Sequence, residues 1–94
     1  MKEKYKKYLP IGSVVLLEKA SKRVMITGFC AKGKEQGDKI FDYIGCLYPE
    51  GILNTEQNLL FNHDQIEKIF AIGFSDEEEK LFKERLNKEV QNLN

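Results

Sequence analysis

Asp42-Tyr43-Ile44-Gly45-Cys46-Leu47-Tyr48-Pro49-Glu50-Gly51 reads as a strand that runs into a hard stop. Tyr43, Ile44, Leu47 and Tyr48 are aromatic or branched apolar residues suited to a pleated surface. Gly45, inside that run, marks a bulge or the close approach of another backbone. Pro49 has no N–H to give a ladder, and Pro49-Glu50-Gly51 reads as a turn. Every other apolar segment of the chain can be placed as a neighbour of this strand.

Upstream, Leu9-Pro10-Ile11-Gly12-Ser13 is a turn that delivers the chain into the sheet, since Pro10 restricts Leu9 to extended geometry. Val14 to Glu18 is a short, nearly continuous apolar run, the pattern of a buried strand. Lys19 to Lys22 is polar and short enough for a hairpin. Arg23 to Ala31 is the next strand. Val24, Ile26, Gly28 and Cys30 fall on one face and Met25, Thr27, Phe29 and Ala31 on the other, with Gly28 marking a bend or bulge. Lys32 to Asp38 has no apolar residue and two glycines, so it is expected to be an exposed, mobile loop. Lys39 to Tyr48 is the longest strand.

Downstream, Gly51 to Asn58 is a loop whose Ile52 and Leu53 are placed to fold back as a lid. Leu59-Leu60-Phe61 is a short strand. Asn62-His63-Asp64-Gln65 is a single helical turn, capped by Asn62 with Gln65 reaching back. Ile66 to Ile72 is a further strand. Ser75-Asp76-Glu77-Glu78 is a helix start, with Ser75 as cap, Glu78 completing the box, and acids at the positive end of the dipole. The helix spans 75–93, and Phe82, Leu86, Val90 and Leu93 form the stripe expected to dock on the sheet.

These elements predict one domain over 1–94, with 1–7 a flexible basic lead-in. The fold is mainly β with a C-terminal helix: a small, strongly bent antiparallel sheet, an SH3-like partly closed barrel with the helix packed against it. An open meander under the helix is the alternative. A chain of this length buries roughly 60–65% of its unfolded surface, enough for one modest core. Hydrophobic content of 41% and charged content of 32% fit a soluble globular domain, and no apolar run reaches a membrane span. No secretory signal is expected at the charged N-terminus, and the expected location is cytoplasmic.

The net charge of zero hides an asymmetry. Residues 1–39 carry ten Lys/Arg against four Asp/Glu, net +6, and residues 40–94 carry five against eleven, net −6. The lysines are spread over tail and loops, so the two halves are expected to compensate each other across the surface. Cys30 and Cys46 have no C-x-x-C spacing; adjacent antiparallel strands would permit a disulfide, but the favoured reading is buried free thiols.

No residue set spells out a reaction. His63 is the sole histidine, and with Asp64 it offers a base or a ligand. Two cysteines and one histidine follow no zinc spacing, and Asn62, His63 and Asp64 are read as a structural turn. Asp76 to Glu79 fan around a helix and cannot converge on one ion. Gly33 and Gly37 make no phosphate loop. No cofactor or metal is expected. Of the aromatics, Tyr43 and Tyr48, with Pro49, Glu50 and Gly51, are the expected exposed set and the candidate surface for a protein partner. Nucleic acid, stacked on aromatics, is the weaker partner class.

Taken in order, Tyr8-Leu9-Pro10-Ile11-Gly12-Ser13-Val14-Val15, Asp42 to Gly51, Phe61-Asn62-His63-Asp64-Gln65-Ile66 and Ser75-Asp76-Glu77-Glu78-Glu79 span most of residues 8–80. This ordered set resembles a family of small proteins of Gram-positive bacteria encoded beside LXG-type toxins of the type VII secretion pathway. That family has no established catalytic residues, so none is carried over. The resemblance implies a non-enzymatic accessory: a chaperone, adaptor or targeting factor for a toxin. Direct neutralisation, as an immunity protein, is the rival. Cys46 stands where the resemblance leads us to expect a plain hydrophobe, which suits core packing.

Overall fold

The computed structural model describes residues 7–32, 39–54 and 58–93. Residues 1–6 of the expected 1–7 lead-in, the glycines of the lysine-rich loop and the side chains of Val90 and Leu93 lie outside the described residues. Five strands, β1 (Val14–Leu17), β2 (Val24–Lys32), β3 (Ile40–Leu47), β4 (Leu59–Phe61) and β5 (Ile66–Ala71), precede one helix, α1 (Glu77–Leu93). They form one antiparallel sheet in the order β4-β3-β2-β1-β5. The sheet is open: β4 and β5 are its two edges. No described helix is long and apolar enough to cross a membrane.

β3 lies between β2 and β4, so the expectation that every other apolar segment neighbours it is corrected: β1 pairs with β2 and β5, and β2 is the middle strand. The β2–β3 register shifts between Ile26 and Gly28, so the bulge lies on β2. This moves Phe29 onto the face of Val24 and Ile26, where it packs against the core, contrary to strict alternation along β2. Gly45 holds no bulge. A Cβ there would lie 2.6 Å from the Met25 carbonyl oxygen, so this glycine serves the close approach of β2.

The core joins Tyr8, Leu9, Val15, Val24, Ile26, Tyr43, Phe61 and Ile66. Its aromatic centre is Tyr43, stacked on Phe61 at 5.3 Å and edge-on to Tyr8 at 6.2 Å. The Pro10–Ser13 turn is pinned to β2 by Gly12 N–H to the Ile26 carbonyl and Ile26 N–H to the Ser13 carbonyl, both 2.9 Å. Buried Ser13 Oγ accepts the Gly73 N–H at 2.9 Å, tying the exit of β5 to the entry of β1.

The helix meets the sheet more lightly than its stripe predicts. Leu86 packs against the core, but Phe82 is 47% exposed and meets Phe29 ring to ring at 5.9 Å. The cap is also displaced by one residue. Asp76 Oδ1, not Ser75, accepts the Glu79 N–H, and the first helical bond runs from Lys80 N–H to the Asp76 carbonyl. Ser75 instead donates to Glu79, whose carboxyl also meets Lys83 at 2.7 Å. Partial burial pushes that carboxyl up, but these two partners outweigh it and hold it below the usual range.

Candidate functional site

Two clusters of polar and aromatic residues flank β3, one inside and one outside. The inner one is built on Tyr43. Its side chain is fully buried, so the expectation of an exposed Tyr43 is corrected: with β3 unbulged, residues 43 and 48 take opposite faces, and 43 takes the core. Tyr43 Oη accepts the N–H groups of Tyr8 at 2.9 Å and Leu9 at 3.0 Å, and lies 2.7 Å from His63 Nδ1. Two donors fill the oxygen's lone pairs, so its own proton goes to Nδ1 and the His63 proton sits on Nε2. Burial pushes Tyr43 up to about 12, against the pull of the two N–H donors, and the Asp42 carboxylate adds to the rise.

Asp42 and Asn62 complete this cluster. Asp42 Oδ2 accepts the His63 N–H at 2.8 Å, and Asn62 Oδ1 accepts the Asp42 N–H at 3.0 Å. Gln65 Oε1 accepts the Asn62 N–H at 2.8 Å, as a capping box requires. The turn is a 3₁₀ segment over His63–Gln65, close to the helical turn the sequence suggests. His63 therefore also accepts a hydrogen bond from a buried phenol. Lys7 meets Asp42 at 3.1 Å, so the network also holds the incoming chain. Tyr8, buried beside it, has a phenol raised well above the usual tyrosine range, first by burial and then by the Cys30 thiol. This cluster ties three chain segments together. Its phenol has no exposed surface for a substrate to reach.

Cys30 and Cys46 are both free, the first half-buried and the second buried. Cys46 pairs with Met25, which leaves Cys30 five residues further along β2 and out of bonding range. Among the described residues no cluster of metal ligands occurs.

The outer cluster is built on Tyr48. Tyr48, Pro49 and Glu50 are exposed as expected, and Gly51 is half-buried with its N–H on the Leu47 carbonyl at 2.8 Å. The Tyr48 N–H donates to the Arg23 carbonyl at 3.0 Å, which extends the β2–β3 ladder by one pair. The Arg23 guanidinium then lies over the Tyr48 ring at 5.2 Å and over the Phe70 ring of β5 at 5.6 Å. Lys68 Nζ stands 5.0 Å from the same Phe70 ring. Glu50 pairs with Lys22 at 2.8 Å, and this bond holds its carboxyl below the usual range. Lys7–Asp42 and Lys22–Glu50 both join the basic first half of the chain to the acidic second half, as charge compensation predicts.

Sequence reasoning missed Tyr8, Arg23 and Phe70. Tyr8 was detectable as the start of the apolar triplet Tyr8-Leu9-Pro10. Arg23 was detectable as the residue facing Tyr48 once the hairpin register was drawn. Phe70 had no local signal, because its neighbours come from across the sheet. A second exposed apolar group, Ile11, Phe74 and Phe82, lines a shallow cavity of about 460 Å³ beside Asp76, Glu78 and Glu79.

The chain belongs to the family described as a domain of unknown function, DUF4176, whose model matches residues 8–82. The match opens on buried Tyr8 and ends at Phe82, so it takes in the whole sheet and the start of α1. No curated protein and no solved structure matches the chain.

Proposed function

We propose that this chain is a non-enzymatic protein-binding accessory, a chaperone, adaptor or targeting factor, for an LXG-type toxin of the type VII secretion pathway, acting in the cytoplasm. The resemblance carried by Asp42 to Gly51 and the three other stretches supports the toxin as partner. The observation that carries the binding role is the exposed row Tyr48, Arg23 and Phe70 across β3, β2 and β5. Tyrosine and arginine are the residues on which interfaces concentrate their energy, and tyrosine gives large contact area at low entropy cost. The Tyr48–Gly51 turn is rigidly held by its own backbone bond and by Lys22, so little ordering cost remains on docking.

The same reading takes the bent sheet as an SH3-like scaffold. The register shifts on β5, where Glu67 and Phe70 are skipped in the pairing with β1, and on β2 supply the bends such a scaffold needs, although its edges stay unpaired here. Co-purification with the toxin encoded beside its gene tests the proposal. Capture of that toxin supports it, and a toxin that passes through unbound contradicts it. Capture that also abolishes toxicity selects the immunity reading. A salt-dependent shift of single-stranded nucleic acid selects the nucleic-acid reading, which the cations over Tyr48 and Phe70 favour.

A further inference from the structure

We infer that Arg23 is a carboxylate-recognition site that takes an Asp or Glu side chain from an acidic segment of the protein partner. The inference rests on the docking role proposed for the Tyr48 turn and names the chemistry that this surface selects.

Arg23 stands just before β2, exposed, with its carbonyl fixed by the Tyr48 N–H. Its guanidinium carbon lies 5.2 Å from the ring centre of Tyr48, at the exit of β3, and 5.6 Å from that of Phe70, on the edge strand β5. A cation–π contact draws on the charge of the guanidinium and does not consume the N–H donors along its edge. That edge is the planar fork that fits a carboxylate with two parallel hydrogen bonds. Among the described residues Arg23 makes no ion pair. Glu50, the carboxylate of the adjoining turn, is taken by Lys22. Lys68, 5.0 Å from the Phe70 ring centre, adds positive charge. The surface thus presents a cation, two rings and, among the described residues, no carboxylate in an ion pair with that cation. An acidic side chain beside an apolar one complements all three.

The test titrates the intact chain with two short capped peptides, one with glutamates flanking a leucine and one with glutamines in their place. The amide signals of Arg23, Tyr48 and Phe70 report binding. The glutamate peptide should bind at least ~10-fold more tightly at low salt, and added salt should close the gap. Arg23→Ala should erase the preference, and Arg23→Lys should keep only part of it, because an ammonium has charge without the fork. Equal binding of the two peptides, no binding of either, or a preference that survives Arg23→Ala overturns the inference. A single-stranded oligonucleotide that displaces the glutamate peptide from these residues and binds more tightly also overturns it. Toxin capture that depends on Tyr48, without any glutamate preference, removes the carboxylate site and leaves the docking turn standing.

Discussion

The phenol oxygen of Tyr43 and Nδ1 of His63 lie 2.7 Å apart, the closest link between β3 and the 3₁₀ turn in the Tyr43 network. The same oxygen accepts the N–H groups of Tyr8 and Leu9. One buried hydroxyl therefore joins three segments distant in sequence: the entry to the sheet, strand β3 and the turn before β5.

Removing that hydroxyl leaves two backbone donors and one histidine nitrogen to find other partners. Tyr43→Phe should lower stability by about 2–4 kcal/mol, since each orphaned buried donor costs about 1–3 kcal/mol. Urea unfolding measures it, and a change below about 0.5 kcal/mol would refute the network's role.

A pH dependence follows from the same phenol. Its folded-state pKa is raised from 10.0 to about 12, so its proton is held more tightly in the folded chain. The associated stability is fully present below pH 10 and is lost as pH rises through about 12. The wild-type urea midpoint should fall across that window. In Tyr43→Phe the fall should be shallower, with buried Tyr8 accounting for what remains. Equal slopes in the two proteins would contradict the assignment.

His63 separates a turn role from an acceptor role. Asparagine suits such turns and can place an oxygen near the position of Nδ1, so His63→Asn should stay within about 1 kcal/mol of wild type. His63→Leu keeps bulk but offers no acceptor, and should cost about 1–3 kcal/mol. Thermal melts of the pair decide it: identical losses would mean that the Tyr43 bond contributes nothing.

Phe82 tests how firmly α1 is docked. Full burial of a phenylalanine makes truncation cost about 3–5 kcal/mol, but Phe82 sits at the rim and keeps chiefly its contact with Phe29. Phe82→Ala should cost about 1–2 kcal/mol. A melting temperature unchanged by this substitution would mean that the helix is not held by Phe82, and a loss above about 3 kcal/mol would mean that it is held far more tightly than the rim position allows.

Much of this fold was legible in the chain because its signals are local. Alternating apolar runs, Pro49, the Asn62 turn and the acidic helix start each act within a few residues, and all five strands and the helix lie within about two residues of their expected bounds. What failed depended on register. Gly45 was open to a bulge or a close approach, and only its position beside the Met25 carbonyl decides between them. That choice sent Tyr43 into the core, where the sequence had suggested a surface aromatic. The candidate site divided in the same way. Tyr48, Pro49 and Glu50 are exposed because a strand must end there. Arg23 and Phe70 join them through pairing across β1, which no single stretch encodes. The helix stripe was visible, but the amount of sheet available to cover it was not.

The central claim is that the Tyr48 turn anchors a protein partner. Calorimetric titration of the LXG-type toxin encoded beside the gene, into wild-type protein and into Tyr48→Ala, tests it most directly. Tyr48 is already 37% exposed, so the variant should keep its fold, which circular dichroism verifies. The account predicts that Tyr48→Ala loses at least ~2 kcal/mol of binding, the mark of an interface hot spot. A correctly folded Tyr48→Ala protein that binds the toxin with wild-type affinity would contradict it.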